Sequence, residues 1–239
     1  MRTVFLVMKD HPYGGEILKK LAESGCIPEI IIEEVSLLAV NERDKFRTRM
    51  GGQDLPPVPA EVASQFGIRL VRVADHNDED CLRYVHEFAP DAILLGGTRI
   101  LKELLLEYLI LNTHPGLLPW MRGSSPEAWS IYLDIPVGVT CHRVDVGVDT
   151  GPILLRRQLI ITSCLSYMEI VRQNASCAAT TMVDAVRLIS SGHGCFRPQE
   201  DGRWKTHPVM PSELLEKVHR KLAEGKYVPK LPPNISKKS

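Results

Sequence analysis

Two short segments of the chain carry side chains that could transfer an acyl group to an amine. Asn112 and His114 are separated by one residue, so an extended backbone would place both side chains on the same face. Asn112 carries an amide that can donate to an oxygen, and His114 carries an imidazole that titrates near neutral pH. Asp149 lies in a later turn, which Gly147 and Gly151 allow to be tight. Together, these groups could stabilise an oxyanion, move a proton and orient the imidazole.

Each segment taken alone also has a purely structural interpretation. An Asn-x-His sequence is more often a capped turn than a catalytic site, and an Asp between glycines more often closes a hairpin. Only the combination of an amide, an imidazole and a carboxylate favours a catalytic site over structural turns.

The elements that would position these groups alternate between strand and helix up to residue 112. Apolar, β-prone runs occur at Thr3–Met8, Ile30–Ile32, Ile68–Val73 and Ala92–Leu95. They are continuously apolar, which is typical of a parallel sheet with helices on both faces. The sequence therefore predicts an α/β fold with a doubly wound, mostly parallel, Rossmann-like sheet, whose ligands bind beyond the carboxyl ends of the strands. Between these runs, helices are predicted at Glu16–Ser24, Val35–Met50, Ala60–Gln65, Asn77–Phe88 (with Asn77 as N-cap) and Leu101–Tyr108.

The pattern changes after a short strand at Leu109–Asn112. A polar loop (114–125) and a helix near Glu127–Leu133 precede two β-prone runs, Gly138–Val144 and Ile153–Ile161, and a long helix over Ser166–Ser190. We predict a catalytic domain over residues 1–191. A C-terminal extension over residues 192–239 would contain a short helix near Ser212–Glu224 and a frayed tail.

Composition excludes several classes of function. The 239 residues include 29 Lys plus Arg and 29 Asp plus Glu, so the formal charge is zero. This neutrality argues against a surface built to bind nucleic acid or anionic lipid. The apolar run at the amino terminus is too short for a signal peptide or a membrane span, which predicts a cytoplasmic protein. The six cysteines form no CxxC pair, so we expect reduced thiols and no metal site.

Four motifs, in order, resemble those of the tetrahydrofolate-dependent formyltransferases. They are Asn-Thr-His-Pro-Gly-Leu-Leu-Pro (112–119), Arg-Gly-Ser-Ser-Pro (122–126), Gly-Val-Thr-Cys-His (138–142) and Val-Asp-Thr-Gly (148–151). The resemblance implies a Rossmann-like fold, a metal-free reaction and 10-formyltetrahydrofolate as formyl donor to a primary amine. It also implies that Asn112 and a protonated His114 stabilise the oxyanion, while Asp149 supports His114. His142 lies in a β-prone run, so it is interpreted as a packed or substrate-side histidine rather than as a second base.

A further segment, 95–101, resembles the loop that cradles the pterin ring of the donor in this family. Its backbone could hydrogen-bond the edge of the ring, while Ile100 and Leu101 supply an apolar wall. An ordinary strand-to-helix turn is the alternative interpretation. The residues assigned to the donor are Gly97, Thr98, Arg99, Ile100, Leu101, Val144 and Asp145.

The acceptor is assigned to Tyr13, Gly14, Gly15 and Arg122, although Arg122 could instead hold a loop. The segment 9–15 contains an Asp and lacks the Ser-Asn pair with which glycinamide ribonucleotide formyltransferases bind phosphate at a helix N-terminus. The neutral charge and the short remainder after the core disfavour methionyl-tRNA. The Arg-Gly-x-x-Pro segment followed by Trp129 resembles the sugar N-formyltransferases, so a nucleotide-linked amino sugar is favoured.

Several alternatives remain open at this point. A formyltetrahydrofolate hydrolase would use the same three residues with water as the nucleophile. Glycinamide ribonucleotide and methionyl-tRNA remain alternative acceptors. A folate-binding module without catalysis is the alternative from another class. The sequence also leaves open whether the chain forms a homodimer.

Overall fold

Strands alternate with helices along the described residues from the amino terminus to residue 114, as the sequence pattern predicts. The computed structural model describes residues 1–37, 44, 56–161, 166–199 and 204–230. Within these residues the chain forms nine strands and seven helices. In chain order they are β1 (Thr3–Met8), α1 (Pro12–Glu23), β2 (Ile30–Glu34), α2 (Pro59–Phe66), β3 (Arg69–Val73), α3 (Glu79–Phe88), β4 (Ala92–Leu95), α4 (Glu103–Leu106), β5 (Ile110–His114), β6 (Arg122–Gly123), α5 (Pro126–Tyr132), β7 (Gly138–Arg143), β8 (Ile153–Gln158), α6 (Tyr167–Ser190), β9 (Thr206–His207) and α7 (Ser212–Ala223).

Seven of the strands form one sheet in the order β3-β2-β1-β4-β5-β7-β8. The pairs from β3 to β5 are parallel, whereas β7 and β8 join as antiparallel strands. The predicted α/β fold with a mostly parallel sheet is therefore confirmed, with an antiparallel edge added to it. An antiparallel pair can be joined by a short turn, and residues 144–152 connect β7 to β8. β6 and β9 pair separately as a two-stranded parallel sheet.

Helices cover both faces of the sheet, which explains why its central strands are apolar throughout. All six residues of β1 are buried. Phe5 and Val7 pack on one face with side chains of α1 and α6. Val4 and Leu6 point to the opposite face and pack with side chains of α3 and α4. The alternation of side chains along β1 thus divides the core into two layers.

Helix α1 begins at Pro12, four residues earlier than the helical spacing predicts. Pro12 stands at the start of the helix, where its missing N–H and fixed φ are favourable. His11 caps the helix, since its Nδ1 accepts from the Gly14 N–H at 3.3 Å. Tyr13, Gly14 and Gly15 therefore lie in the first turn of a helix and not in a loop.

The prediction of Asn77 as N-cap of the next helix is wrong. Helix α3 begins at Glu79, and its cap is Asp78, which accepts from the Cys81 N–H at 2.9 Å. The Asn77 amide donates to the Ile100 carbonyl at 3.1 Å and accepts from the Lys102 N–H at 2.7 Å. The Asn77 amide therefore connects the start of α3 to the loop that follows β4.

Other boundaries differ by a few residues. The helix predicted over 101–108 forms only at α4, and the loop predicted over 114–125 contains β6. The strands predicted to reach residues 144 and 161 end at Arg143 and Gln158. The predicted helix over 35–50 and the frayed tail lie largely outside the described residues.

Helix α6 is the longest described helix and packs across β5, β7 and α1. It begins with a capping box, in which Ser166 Oγ accepts from the Glu169 N–H at 3.3 Å and Glu169 Oε2 accepts from the Ser166 N–H at 2.7 Å. Among the described residues, no helix combines the length and apolarity that a membrane span requires.

Candidate active site

Strand pairing gathers an amide and two imidazoles at the end of β5. Asn112 and His114 lie two residues apart on β5, and the antiparallel register places Asn112 opposite His142 of β7. Residues directly opposite in an antiparallel pair have their side chains on the same face. The Asn112 Nδ2 is accordingly 3.2 Å from the His142 Nε2.

The carboxylate of Asp149 completes this cluster from the loop between β7 and β8. Its Oδ2 is 3.4 Å from the His114 Nδ1, and its Oδ1 is 3.6 Å from the His142 Nε2. The Gly123 N–H donates to Oδ2 at 2.8 Å. Burial alone would raise the pKa of Asp149, but the two imidazoles and the Gly123 N–H lower it to about 2. Asp149 is therefore ionised at neutral pH.

His114 is a buried imidazole whose Nδ1 faces the Asp149 carboxylate. Its Nε2 is 2.7 Å from the carbonyl oxygen of Met121, which can only accept, so Nε2 carries the proton. Burial lowers the pKa of His114, and the attraction of Asp149 offsets this only in part. Protonation of His114 during the reaction, which the family resemblance implies, stays a prediction. The Nδ1 that faces Asp149 is the atom left to accept a proton.

His142 lies in the cluster as directly as the three residues singled out from the sequence. It is 2% exposed, and its Nδ1 donates to the Arg143 carbonyl at 2.9 Å. Its Nε2 lies between the Asn112 amide and the Asp149 carboxylate, at 3.2 Å from Nδ2 and 3.6 Å from Oδ1. His142 therefore fixes the orientation of the Asn112 amide.

A cavity of about 450 Å³ opens next to the cluster. Asn112, His142 and Asp149 line it, whereas His114, at 4% exposure, is not among the described lining residues. All seven residues assigned to the donor line the same cavity, as does Tyr13. Gly14, Gly15 and Arg122 are not among its described lining residues.

The residues assigned to the acceptor mostly support neighbouring backbone. The Tyr13 hydroxyl donates to the Thr113 carbonyl at 2.6 Å, and burial raises the pKa of Tyr13. A Cβ on Gly14 would lie 2.2 Å from the Gly96 oxygen, and one on Gly15 would lie 1.8 Å from the Pro57 oxygen. These glycines therefore let α1 pack closely on two loops.

Arg122 is buried and directed at the C-terminal part of the chain. Its Nε and Nη2 donate to the Gln199 Oε1 at 3.2 and 2.8 Å. Burial lowers the pKa of Arg122, although Asp149 and Asp145 act against that shift. The guanidinium thus holds the segment around Gln199 against β6.

The loop that follows β4 is fixed by a buried network of charges. The Arg99 guanidinium donates to the fully buried Glu34 carboxylate, with a distance of 2.9 Å from Nε to Oε2. Its Nη1 donates to Asp75 at 2.8 Å, and the His76 Nδ1 lies 3.2 Å from Glu34. Burial opposes ionisation of Glu34, but His76 and Arg99 hold the pKa of Glu34 well below its usual range. The backbone of the loop is thereby anchored to β2.

A second hollow of about 460 Å³ adjoins the cavity through Leu101. Its apolar lining comes from α3, α4 and the loop after β7. These side chains are Leu82, Leu104, Leu105, Leu106 and Val146.

The family follows from a comparison of the whole chain with known proteins. The model of the family described as formyl transferase matches residues 1–186. The chain belongs to this family. The resemblance drawn from the four motifs is therefore confirmed at the level of the family.

One relative of this family member is a methionyl-tRNA formyltransferase. The methionyl-tRNA formyltransferase of Ruminiclostridium cellulolyticum is 30% identical over 191 residues, which cover 77% of this chain and 61% of that relative. The chain thus spans less than two thirds of that relative's length.

Two solved structures share the fold. The phosphoribosylglycinamide formyltransferase of Anaplasma phagocytophilum has a TM-score of 0.65 at 18% identity, covering 87% of this chain and 98% of that one. The N-formyltransferase of Helicobacter canadensis, in complex with folinic acid and dTDP-3-aminofucose, has a TM-score of 0.61 at 15% identity, covering 87% of this chain and 71% of that one.

Proposed function

We propose that this protein transfers a formyl group from 10-formyltetrahydrofolate to a primary amine. The observation that carries the proposal is the convergence of Asn112, His142 and Asp149 on one cavity with the loop 97–101. Membership of the formyl transferase family supports the same reaction class.

The residues around the cavity suit a folate. Ile100 is 76% exposed and Val146 is 78% exposed, and large apolar side chains left in solvent beside a cavity favour an apolar ring as ligand. Leu101 connects the cavity with the second hollow, which offers further apolar surface. We assign Gly97, Thr98, Arg99, Ile100, Leu101, Val144 and Asp145 to the donor, which supplies the formyl group when it is bound.

The polar cluster would act on the reacting groups. The Asn112 Nδ2 is placed to donate to the formyl oxygen, because the His142 Nε2 already holds this amide in one orientation. The primary amine loses a proton as it forms a bond to the formyl carbon, and the bond from that carbon to N10 of the donor breaks as N10 gains a proton, which releases tetrahydrofolate. Asp149 is ionised and burial lowers the pKa of His114, so this pair can take up that proton.

A nucleotide-linked amino sugar is the acceptor that we propose. The segment after β1 contains Asp10 and lacks a Ser-Asn pair, which disfavours a phosphate at the start of α1. The formal charge of zero disfavours tRNA. The Helicobacter canadensis protein that shares the fold was solved with dTDP-3-aminofucose. Methionyl-tRNA is the second candidate, because a methionyl-tRNA formyltransferase is 30% identical over 191 residues.

The test is to incubate the protein with 10-formyltetrahydrofolate and one acceptor at a time. The acceptors are dTDP-3-aminofucose, other nucleotide-linked amino sugars, glycinamide ribonucleotide and methionyl-tRNA. Release of tetrahydrofolate is followed by absorbance, and the formylated product by mass spectrometry. We expect turnover with an amino sugar, and Asn112→Ala should reduce it by roughly 10²–10³-fold.

The same assay distinguishes the alternative functions. Release of tetrahydrofolate without any acceptor would indicate a hydrolase. Folate binding with no turnover under any condition would indicate a binding module. Turnover confined to methionyl-tRNA or glycinamide ribonucleotide would replace the sugar as acceptor.

A further inference from the structure

The chain returns to the active-site loops after helix α6 ends. Ile153 and Arg197 exchange two backbone hydrogen bonds of 2.8 Å, which anchor the returning segment to the start of β8. Beyond it, β9 pairs with β6, and the Ser124 N–H donates to the His207 carbonyl at 2.9 Å. The C-terminal partners in these contacts, Arg197 and β9, lie beyond residue 186, where the match to the family model ends.

The side chain of Gln199 joins the two loops that hold Asp149. Its Nε2 donates to the carbonyls of Asp149 and Gly151 at 2.8 and 2.7 Å. Its Oε1 accepts both hydrogen bonds from Arg122 in β6. The next residue of β6 is Gly123, whose N–H donates to the Asp149 carboxylate. One amide thus connects the backbone of Asp149 with the strand that binds its side chain.

The Asp149 loop needs such support. Asp149 has a φ of 55°, in the left-handed region that non-glycine residues adopt only when their surroundings hold them there. A neutral amide is also suited to this place, because a carboxylate facing the two carbonyl oxygens would find no donor in them.

We propose that Gln199 is a positioning residue, which holds the Asp149 carboxylate against His114 and His142. The segment after residue 192, which the sequence sets apart as an extension, then supplies part of the active site. This inference rests on the proposed function for the role of Asp149 in the reaction.

Two substitutions separate the contacts of Gln199. Gln199→Met removes all four hydrogen bonds at similar length. Gln199→Glu keeps the acceptor for Arg122 and replaces the donor to the loop carbonyls. The matched controls are Gln173→Met and Gln173→Glu on an exposed position of α6.

The first readout is the titration of His114 in the full-length, ¹⁵N-histidine-labelled protein, which needs no acceptor. The groups that face the His114 ring are Asp149, His142 and the Met121 carbonyl. If Asp149 moves away, its attraction is lost, so the pKa of His114 should fall by roughly half a unit or more. Both Gln199 variants should show this fall, and both Gln173 variants should match wild type.

The second readout is steady-state kinetics with the acceptor that the panel identifies. Displacement of a reacting group by about 1 Å can cost ~10²-fold. We expect kcat to fall by roughly 10- to 100-fold in Gln199→Met, while KM for 10-formyltetrahydrofolate stays within about twofold.

A lower unfolding midpoint with an unchanged His114 titration and unchanged kcat would overturn the inference, because it would make Gln199 purely structural. If Gln199→Met fails to fold, Gln199→Glu decides by the same criteria. If wild type has no transferase activity, the proposed function fails, and the His114 titration still decides whether Gln199 positions Asp149.

Discussion

At the scale of single residues, the site holds one negative charge between two imidazoles. The carboxylate of Asp149 contacts both rings, while the carbonyls of Met121 and Arg143 each occupy the other nitrogen of one ring. The remaining nitrogen of each ring is thereby left facing the carboxylate. Deprotonated Asp149 is the group that keeps this arrangement ready to take a proton from an amine.

Asp149→Asn tests that assignment. The amide keeps the size of the side chain but removes the charge, so formyl transfer should fall by roughly 10²–10⁴-fold. Folate affinity should change little, since the charge is needed during the reaction. Kinetics and equilibrium titration with folinic acid would measure the two effects. Asp80→Asn, an exposed carboxylate on α3, is the control; an Asp149 variant as active as this control would contradict the assignment.

Sequence alone identifies only part of this cluster. Asn112 and His114 follow from alternation along one strand, and Asp149 from the glycines of its turn. His142 becomes a partner of Asn112 only through the register between β5 and β7, which no local pattern specifies. Gln199 lies 50 positions from Asp149 in the chain, and its role depends on tertiary pairing.

At the scale of elements, β6 joins the carboxylate loop to the C-terminal segment through Gly123. Gly123 has a φ of 92°, and a Cβ there would lie 2.2 Å from the His207 oxygen. The positive φ strains any residue with a side chain, and the close backbone contact leaves no room for a Cβ. The short sheet β6–β9 can therefore form only with glycine at this position.

Gly123→Ala should destabilise the protein by about 1–3 kcal/mol and also lower kcat, because the clash with His207 would displace the backbone N–H at position 123 from the Asp149 carboxylate. Gly192→Ala is the matched control, since Gly192 has a φ of 75° with open space around its Cβ position. The control shares the backbone strain and lacks the clash. Urea unfolding and kinetics of both variants would measure the difference, and equal losses in stability and activity would contradict the role of β6.

The loop after β4 is a second segment whose position is fixed by residues distant in the chain. The helix predicted over residues 101–108 forms only at α4. The residues before it are held in a loop, because Asn77 binds the Ile100 and Lys102 backbone and Glu34 binds Arg99. These partners come from β2 and the start of α3, distant in the chain. Their contribution could not be read from the segment 95–108 itself.

Glu34→Gln should lower the free energy of unfolding by about 3 kcal/mol at neutral pH, because it leaves Arg99 without its buried carboxylate. The folded state lowers the pKa of Glu34, so its contribution is present above the unfolded value of 4.5 and is lost as the pH falls below it. The difference between variant and wild type should therefore shrink between pH 5 and pH 3 in urea titrations. A difference that stays constant over that range would contradict the ionised pair.

At the scale of the whole molecule, the sheet changes from parallel to antiparallel beside β5, where the loops of the site meet. The polar cluster comes from β5, β7 and the loop after β7, whereas the exposed Ile100 comes from the loop after β4. This division allows binding and chemistry to be altered separately.

Ile100→Asp should abolish much of the stabilisation that a folate gives. Folinic acid at 100 times its Kd should raise the free energy of unfolding by about 2.7 kcal/mol in wild type. Because Ile100 is exposed, its replacement should not unfold the protein. A smaller stabilisation by folinic acid would therefore reflect weaker binding of the ligand. Ile160→Asp, at an 87% exposed isoleucine, is the control. Thermal unfolding with and without folinic acid gives the comparison, and an unchanged shift in Ile100→Asp would place the folate elsewhere.

The pairing of β9 with β6 also has a consequence for the timing of synthesis. Asn112, His114 and Asp149 leave the ribosome well before His207, which follows Asp149 by about 60 residues, or roughly 3–12 s of translation. During that interval the carboxylate loop lacks both Gln199 and the second strand of its small sheet. A growing chain would therefore carry the reactive groups in an unassembled form, and activity would begin only once the returning segment has docked.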